Sequence, residues 1–514
     1  MAKTMEYTPL DEIAKIHDTL LASFISGKMQ SIAARKKQIA KVAYMVKENT
    51  NAIHDALFKD LHRSPAETTI CDLSPVLHEA VHTYNHIDKW TKDIKPSTTA
   101  AYHAMNLRVK PSPKGVVLII APFNFPLILS LTPLISAIAA GCTVVLKFSE
   151  MLPSVSPLLQ GLIEKYLDPQ VVRVVQGAIS ETSALLNLEW NHIFFTGSPR
   201  VGQIVATAAA KFTTPVTLEL GGKCPIIVDP HRADYKLIAR RILWGRATNS
   251  GQVCISPDYV LIPRAHQKDL ADALRQSYEE FWPSGTHESA SFGRIVNPAS
   301  AKRVSGYINE SKGNILFGGV SEPDQCFVPL TVLTDVAKTD STMQEEIFGP
   351  VLSIVPVDSL DEAIDFVNER PQPLALYVFT RDARYKEKVA RNTRSGAIVF
   401  NDTMMHGTAP GLPFGGSGSS GYGQYHGKWG FDTFTHYRAS LDNPSWTDRF
   451  VQFRYPPYTE WKVVAAKAVL SPVVLPFDKD GKKTYLKRLQ QCVPVLILIA
   501  AVLYSRQKYQ ARLS

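Results

Sequence analysis

Residues 115–122 read GVVLIIAP, an uninterrupted apolar run that is rich in β-branched side chains. Such a run is typical of a strand that is buried on both faces of a parallel sheet. Three more runs of this kind follow, separated by stretches with helical patterns: TVVLKFSE (143–150), VVRVVQG (171–177) and HIFFTGS (192–198). Strands that alternate with helices predict an α/β fold with a doubly wound parallel sheet, in which ligands bind at the carboxyl ends of the strands.

A second α/β unit follows after residue 222, and a helical segment precedes the first unit. Residues 10–60 have the spacing of two or three helices. Beyond residue 222, a helical stretch over 233–249 separates the first two of five further strand candidates: PIIVD (225–229), YVLIP (259–263), VLSIVPV (351–357), ALYVFT (375–380) and GAIVFN (396–401). The sequence therefore predicts two doubly wound α/β domains, one over residues 1–221 and one over residues 222–405.

The composition is that of an ordinary folded protein whose basic charge is concentrated at one end. The 514 residues are 45% hydrophobic and 20% charged, with a net charge of +9. Residues 479–514 hold eight basic side chains and one acidic side chain, which flank an apolar run. That arrangement favours an anionic membrane surface over nucleic acid as the partner. The six cysteines form no CxxC pair and have no metal-ligand spacing, so we expect a reducing compartment, no disulfide framework and no metal.

The apolar run near the C-terminus predicts a membrane anchor at about residues 489–504. Its sixteen uncharged residues would form a helix of roughly 24 Å, short of the ~30 Å hydrocarbon core. The run could span a bilayer, lie in its interface or be a buried core helix, and Pro494 disfavours a straight span. The N-terminus lacks the apolar stretch of a secretory signal. We expect a cytosolic body held at the endoplasmic reticulum, with the mitochondrial outer membrane and the lipid droplet as alternatives.

Two glycine-rich segments compete as phosphate-binding loops. Residues 416–421 have the GxGxxG spacing, but no strand pattern precedes them and no helix pattern follows, so we interpret them as a structural loop with unusual backbone angles. The segment FTGSPRVG, which contains Gly197, Ser198 and Gly202, does follow a strand and open a helix. Its backbone N–H groups are suited to a pyrophosphate, although a plain strand-to-helix turn explains the pattern equally well.

Three short segments carry reactive side chains where strands or helices are expected to end. Asn124 lies in PFNFP, Glu219 in LELGGK and Cys254 in NSGQVC. Each has a structural alternative as well as a functional one. An Asn in such a segment is often part of a turn, a Glu in an apolar strand can be a satisfied structural acid, and a lone Cys is usually a small buried apolar residue.

Together these segments resemble the aldehyde dehydrogenase superfamily. The matching stretches occur in the family's order over about residues 110–425 and are PFNFP, KFSE, FTGSPRVG, LELGGK, NSGQVC, EIFGP and LPFGGSGSSG. Other stretches resemble the class 3, fatty aldehyde branch: KDLHR (59–63), PLALYVFT (373–380), YHGKWGFDTFTH (425–436), RYPPY (454–458) and the apolar basic tail. Overall the chain is similar to fungal hexadecenal dehydrogenases. KFSE departs from the family pattern at Phe148, where many members have Pro.

The resemblance implies a role for each site residue. Cys254 would be the nucleophile that forms a thiohemiacetal and then a thioester, with Asn124 and the Cys254 N–H holding the oxyanion and Glu219 activating the hydrolytic water. Seven residues would contact the cofactor: Gly197, Ser198 and Gly202 at the pyrophosphate, Lys147 and Glu150 at the adenine ribose, and Glu346 and Phe348 at the nicotinamide end. A carboxylate at the ribose would repel a 2′-phosphate, so NAD is preferred and NADP is the alternative.

The resemblance also implies the domain roles and the reaction. Residues 1–221 would bind NAD, 222–405 would be catalytic, 406–458 would form a Gly-rich return and, with about 88–110, a bridging element, and 459–514 would hold an apolar helix, a basic segment and the anchor. The protein would be a homodimer that oxidises long-chain aliphatic aldehydes to carboxylic acids. Aromatic or medium-chain aldehydes are the alternative substrates, and an inactive membrane-tethered scaffold is the non-enzymatic alternative.

Overall fold

The computed structural model describes residues 5–98, 100–409, 411–470 and 477–483. Contacts divide the chain into two compact units. Within the described ranges, the first comprises Met1–Thr91 and Pro111–His436, and the second comprises Lys92–Lys110 and Tyr437–Ser514. The boundary that we expect at residues 221 and 222 lies inside the first unit, so this boundary and the other domain ranges stay predictions.

Among the described residues, the strands form three sheets. In chain order the strands are β1 (Arg108–Pro113), β2 (Val116–Ile120), β3 (Thr143–Lys147), β4 (Val172–Val175), β5 (His192–Gly197), β6 (Val216–Leu220), β7 (Cys224–Val228), β8 (Pro257–Pro263), β9 (Asn314–Phe317), β10 (Thr331–Thr334), β11 (Val351–Val357), β12 (Ala375–Phe379), β13 (Ala397–Phe400), β14 (Gly421–Tyr422) and β15 (Thr435–Ser440). One sheet has the order β14-β6-β5-β2-β3-β4, another has the order β13-β12-β7-β8-β11-β10-β9, and β1 pairs with β15. In the two large sheets neighbouring strands are parallel, except that β14 is antiparallel to β6 and β9 to β10.

The α-helices of the described residues lie mostly between these strands. They are α1 (Leu10–Ile25), α2 (Ile32–Glu48), α3 (Thr50–Leu61), α4 (Pro65–Thr68), α5 (Ser74–Trp90), α6 (Ile128–Ala140), α7 (Val155–Tyr166), α8 (Ile179–Leu186), α9 (Pro199–Ala210), α10 (Tyr235–Ala247), α11 (Gln267–Phe281), α12 (Pro298–Glu310), α13 (Leu360–Asn368), α14 (Ala383–Asn392), α15 (Gly427–Thr433) and α16 (Glu460–Leu470). Three helices occupy residues 10–61, in agreement with the helical spacing of that segment.

The elements around β2 form for the reasons that the sequence suggests. All five residues of β2 are buried, as are all thirteen residues of α6. The helix ends at Gly141, whose φ of 99° is a left-handed cap conformation that glycine adopts without strain. Each strand candidate of the two α/β units contains most or all of an observed strand, so the prediction of an α/β fold with doubly wound parallel sheets is confirmed.

The order of the strands determines where a ligand can bind. In the six-stranded sheet the chain runs from β2 outward to β3 and β4, then returns to β5 and β6 on the other side of β2. The switch point therefore lies between β2 and β5, and ligands of open parallel sheets bind at such a point beyond the carboxyl ends of the strands. Lys147, Gly197 and Glu219 lie in the last two residues of β3, β5 and β6, and Asn124 lies in the loop that follows β2.

The predicted membrane anchor at about residues 489–504 lies outside the described residues. Among the residues that are described, no helix combines the length and the apolar character needed to cross a membrane.

Candidate active site

Asn124 lies in the loop between β2 and α6 and is almost fully buried, with 2% of its surface exposed. Its side-chain amide donates a hydrogen bond to the backbone carbonyl of Gln252 at 3.1 Å. Gln252 is only two residues before Cys254, so this bond joins the Asn124 loop to the segment that carries the thiol. The structure thus brings together the segments of Asn124 and Cys254, the two residues predicted to hold the oxyanion.

Cys254 follows a strained loop and precedes β8. Asn249 and Ser250 have left-handed φ values of 50° and 51°, which are unusual for non-glycine residues. Gly251 is also left-handed, and a Cβ atom there would lie 2.3 Å from the carbonyl oxygen of Gly349. The loop therefore requires glycine at this position and contacts the EIFGP segment directly.

The surroundings of Cys254 disfavour ionisation of its thiol. Burial raises the pKa of the thiol well above its usual range, and the carboxyls of Glu346 and Glu219, when they are ionised, raise it further. The backbone N–H groups of Cys254 and Ile255 donate toward the sulfur and oppose this shift. Nucleophilic attack requires the thiolate, so a nearby base or a compensating positive charge has to favour its formation.

Glu219 lies in β6 and is 2% exposed. In the described part of the chain, neither of its carboxyl oxygens has a hydrogen-bond partner. Burial raises the pKa of this carboxyl well above its usual range. In the sheet Glu219 is paired with Thr196 of β5 on one side and with Gly421 of β14 on the other. A buried carboxyl without a protein partner is suited to holding and activating a water molecule.

Glu346 approaches the same region from the EIFGP segment. A Cβ atom on Gly221 would lie 1.9 Å from its Oε2 atom, so only glycine leaves room for this carboxyl. Burial and the charge of Asp258 raise the pKa of Glu346 to about 8, whereas the Gly222 N–H donates to it and opposes the shift. Phe348 has a left-handed φ of 48° and packs edge-on against Phe123. The segment is therefore held close to the strand end that carries Glu219.

A buried ion cluster that the sequence analysis missed holds the Glu346 segment in place. The ammonium group of Lys223 donates to the backbone carbonyls of Thr342 at 2.8 Å and Glu345 at 2.9 Å. Lys223 lies 3.5 Å from Asp258, which also pairs with Arg246 at 3.1 Å. The only available signal was the lysine that ends LELGGK, because its partners lie far away in the sequence.

Five of the seven residues predicted for the cofactor lie at or shortly after the carboxyl ends of β3 and β5. Lys147, at the end of β3, pairs with Glu150 at 2.9 Å. The Ser198 side chain caps α9 by accepting a hydrogen bond from the Val201 N–H at 3.4 Å. At Gly202 a Cβ atom would lie 2.6 Å from the Leu220 side chain, so glycine allows α9 to pack closely on β6.

These features fit a dinucleotide. An acidic residue after β3 and a strand–turn–helix unit formed by β5 and α9 are the features that such sheets use for a ribose and a pyrophosphate. In addition, the hydroxyl oxygen of Thr196 at the end of β5 is buried and has no partner among the described residues. The individual roles of these residues stay predictions.

The rejected GxGxxG stretch forms a structural loop and a short strand. Gly418, Gly421 and Gly423 have φ values of 60°, 116° and 90°. A Cβ atom on Gly421 would lie 1.9 Å from the Leu218 carbonyl oxygen, so only glycine allows β14 to lie along β6. The segment therefore covers Glu219 and does not have the helix that a phosphate loop requires.

A cavity of about 390 Å³ lies beside the start of α6. It lies between α5, the first turns of α6 and residues 407–427, and its lining includes His78, His82, His86 and His426. The three histidines on α5 are spaced at four-residue intervals, a signal on one helix face that the sequence analysis did not use. Burial lowers the pKa of His82, and that of His426 to about 4. These two imidazoles are therefore neutral near pH 7.

Comparison with known proteins agrees with this geometry. A sequence model described as the aldehyde dehydrogenase family matches residues 11–440. Aldehyde dehydrogenase family 3 member B1 of Homo sapiens is 41% identical over 448 residues, which cover 87% of this chain and 95% of the human protein. A structure of Staphylococcus aureus AldH in its substrate-bound state has a TM-score of 0.85 at 38% identity, and covers 88% of this chain and 99% of that chain. An aldehyde dehydrogenase of Mycobacterium tuberculosis in complex with NAD+ has a TM-score of 0.76 at 27% identity, with 85% and 91% coverage.

Proposed function

Because the chain belongs to the aldehyde dehydrogenase family, we propose that it oxidises long-chain aliphatic aldehydes to carboxylic acids with NAD as the hydride acceptor. The observation that carries the chemistry is the convergence of three groups: the half-buried Cys254 thiol in the loop before β8, the Glu219 carboxyl near the end of β6, which is buried and has no hydrogen-bond partner among the described residues, and the Asn124 amide after β2. The apolar tail and the resemblance to the fatty aldehyde branch support the choice of substrate.

Cys254 begins the reaction by adding its thiolate to the aldehyde carbonyl carbon. The carbonyl oxygen becomes an oxyanion, which the Asn124 amide and the Cys254 backbone N–H stabilise. An amide nitrogen carries two N–H groups, so one bond to the Gln252 carbonyl can persist while the other donates to the oxyanion. A donor that is already held by the fold costs little reorganisation when the charge develops.

The residues at and after the ends of β3 and β5, together with the EIFGP segment, would hold the cofactor. Lys147 and Glu150 would bind the adenine ribose, Gly197, Ser198 and Gly202 would face the pyrophosphate, and Glu346 and Phe348 would contact the nicotinamide end. When bound, NAD accepts the hydride and with it two electrons. Family structures contain NAD+, as in the Mycobacterium tuberculosis enzyme, which supports a nicotinamide cofactor.

Glu219 completes the cycle. Its carboxylate takes a proton from water, and the resulting hydroxide attacks the Cys254 thioester and releases the carboxylic acid and the Cys254 thiolate, after which Glu219 gives its proton to solvent. One aldehyde, one water and one NAD+ are consumed, and one carboxylic acid, one NADH and one proton are produced. Glu219 has no protein partner to compete with this water in the described residues.

The cavity beside α6 supports a second candidate substrate class. Its lining combines apolar residues such as Val81 and Ile128 with several imidazoles. An imidazole ring can stack on an aromatic substrate as well as contact an aliphatic chain, so aromatic aldehydes, like medium-chain ones, are the alternative. A comparison of aldehydes of different length and ring content separates these proposals.

We also propose that the enzyme is a homodimer and that residues 489–504 hold it at a membrane. The endoplasmic reticulum is the proposed membrane, and the mitochondrial outer membrane and the lipid droplet are the alternatives. A long-chain aldehyde partitions into lipid with about 0.8 kcal/mol per CH₂ group. An enzyme at the membrane surface would therefore meet its substrate where that substrate is concentrated. Light scattering of the purified protein tests the dimer, and fractionation of tagged cells tests the membrane.

Deleting residues 479–514 should release the protein into the soluble fraction while oxidation of hexanal survives. With the full-length protein, kcat/KM should rise from C6 to C18 aldehydes and exceed that for benzaldehyde. Deleting only residues 505–514, which leaves the apolar run in place, is the matched control and should leave the protein with the membranes. Sedimentation of the longer deletion with membranes would contradict the anchor, and activity limited to aromatic or short aldehydes would contradict the substrate.

Glu150→Gln should weaken the preference for NAD. Removing the carboxylate that faces the ribose removes its repulsion of a 2′-phosphate, so kcat/KM for NADP should rise by about tenfold while that for NAD falls. Initial rates with both cofactors measure this change. Glu164→Gln, an exposed glutamate on α7, is the control and should leave the ratio unchanged. If the ratio of kcat/KM for NADP to that for NAD is unaltered in Glu150→Gln, the Glu150 carboxylate does not contact the ribose.

A further inference from the structure

We propose that Arg63 positions both oxyanion donors, the Asn124 amide and the Cys254 N–H. Arg63 ends the KDLHR motif, to which the mechanism above assigns no role. The inference rests on the proposed functions of Asn124 and Cys254 and adds a positioning residue that is distant from both in the sequence.

The guanidinium group of Arg63 is fully buried, with 0% of the residue exposed, and its nitrogen atoms donate in three directions. Nε donates to Asn249 Oδ1 at 3.2 Å, Nη1 donates to Asp72 Oδ2 at 2.6 Å, and Nη2 donates to the Asn124 backbone carbonyl. The group also lies over the Phe125 ring, 4.5 Å from its centroid. Only a planar fork with donors on three nitrogens can make all three bonds, so lysine is not equivalent.

The first set of bonds fixes the Asn124 loop. The Asn124 backbone carbonyl accepts hydrogen bonds from Arg63 and from Asn249 Nδ2, the latter at 3.0 Å. Asp72, which pairs with Arg63, also accepts the Ile128 N–H at the start of α6 at 2.9 Å. The loop is therefore held at Asn124 itself and at the helix that follows.

The second set of bonds fixes the loop before Cys254. Asn249 is in a left-handed conformation, and its N–H donates to Glu67 Oε1 at 2.5 Å while its Oδ1 accepts from Arg63. Asn249 Nδ2 also donates to the Gln252 carbonyl at 3.2 Å, the same oxygen that accepts the Asn124 side chain at 3.1 Å. Residues in such conformations persist only where the surrounding structure fixes them.

Arg63 thus donates hydrogen bonds both to the Asn124 loop and to the loop before Cys254, and each of these loops supplies one of the proposed oxyanion donors. Asp72 is fully buried and Glu67 lies close to the guanidinium, with 4.0 Å between Arg63 Nε and Glu67 Oε1. Both carboxyls compensate the buried positive charge. Small displacements of preorganised donors lower their stabilisation of a developing charge, so the main effect of losing Arg63 should be on steps that form an oxyanion.

A double-mutant cycle tests this inference. Arg63→Lys should lower kcat for aldehyde oxidation by about 10²-fold, comparable with the loss of one oxyanion donor. Asn124→Ala should have a similar or larger effect. The double variant should be slower than Asn124→Ala by a clearly smaller factor than Arg63→Lys costs alone, because the part of the effect that acts through the Asn124 amide is already lost and only the part that acts through the Cys254 N–H remains. Alkylation of Cys254 by iodoacetamide forms no oxyanion, so the rate of this alkylation should change less than threefold in Arg63→Lys. The KM for NAD should also change less than threefold.

The control is Arg35→Lys, because Arg35 is another buried arginine whose guanidinium donates to backbone carbonyls, those of Met29 and Ala139. It should leave kcat unchanged. If Arg63→Lys does not fold, Asp72→Asn replaces it, with the same expected loss and the same non-additivity. Additive losses in the double variant, or a parallel fall in alkylation and NAD binding, would overturn the inference. An unchanged kcat in Asn124→Ala would instead contradict the proposed role of Asn124 as an oxyanion donor. Aldehyde oxidation by the unaltered enzyme tests the proposed function separately.

Discussion

Replacing Cys254 with serine should lower kcat for aldehyde oxidation by at least about 10³-fold, as removal of a covalent nucleophile does in other enzymes. Serine is nearly isosteric, so the strained loop before it should fold unchanged. Its hydroxyl ionises far less readily than a thiol, and the carboxyls of Glu346 and Glu219 already disfavour a negative charge at this position. NADH formation by the purified variant measures the loss.

Cys224→Ser is the control that identifies the reacting thiol. The Cys224 thiol donates to the Cys254 backbone carbonyl at 3.4 Å, and a serine hydroxyl can keep that bond. The variant should therefore retain most of its activity, and its thermal unfolding should be close to that of the unaltered protein. The opposite pattern, with Cys224→Ser inactive and Cys254→Ser active, would show that Cys224 and not Cys254 is the nucleophile.

Glu219→Gln should stall the hydrolysis of the thioester. Glutamine keeps the shape of the side chain but cannot accept a proton, so the hydrolytic step should slow by about 10²- to 10⁴-fold. Addition to the aldehyde and transfer of the hydride do not require this proton, so one NADH per active site should still form rapidly. Stopped-flow absorbance would then show a burst followed by a very slow phase.

The pH dependence of the same step follows from the burial of Glu219. Burial raises the pKa of the carboxyl well above its usual range, and only the deprotonated form can act as a base. The rate of hydrolysis should therefore rise with pH through this elevated pKa, and Glu219→Gln should lose the dependence. If the rate of hydrolysis instead stopped rising near the ordinary pKa of a carboxylic acid, the assignment of Glu219 as the base would be contradicted.

The sequence predicts the parts of this protein that depend on local pattern. The apolar β-branched run of β2, the buried α6 and its end at Gly141 follow from composition and periodicity alone. The rejection of residues 416–421 as a phosphate loop was also correct, because the absence of a flanking helix pattern can be read locally. The short β14 could not be predicted, since two residues of strand leave no periodic signal.

The Arg63 network and the ion cluster around Lys223 were missed because they depend on contacts between distant residues. Arg63 and Asn249 are 186 residues apart, and Lys223 and Thr342 are 119 residues apart. Nothing in the local sequence of either partner indicates that they meet. The resemblance to aldehyde dehydrogenases named the side chains that would react, but the groups that hold them became evident only in the folded chain. The anchor at 489–504 lies outside the described residues and stays a prediction.

Mass spectrometry of Glu219→Gln after reaction with NAD and hexadecanal tests the central claim most directly. The account predicts a hexadecanoyl thioester on the peptide that contains Cys254, in amounts equal to the NADH released in the burst, and no such adduct in the double variant with Cys254→Ser. Full turnover without an adduct, or an acyl group on another cysteine, would contradict the assignment of Cys254 as nucleophile and Glu219 as base.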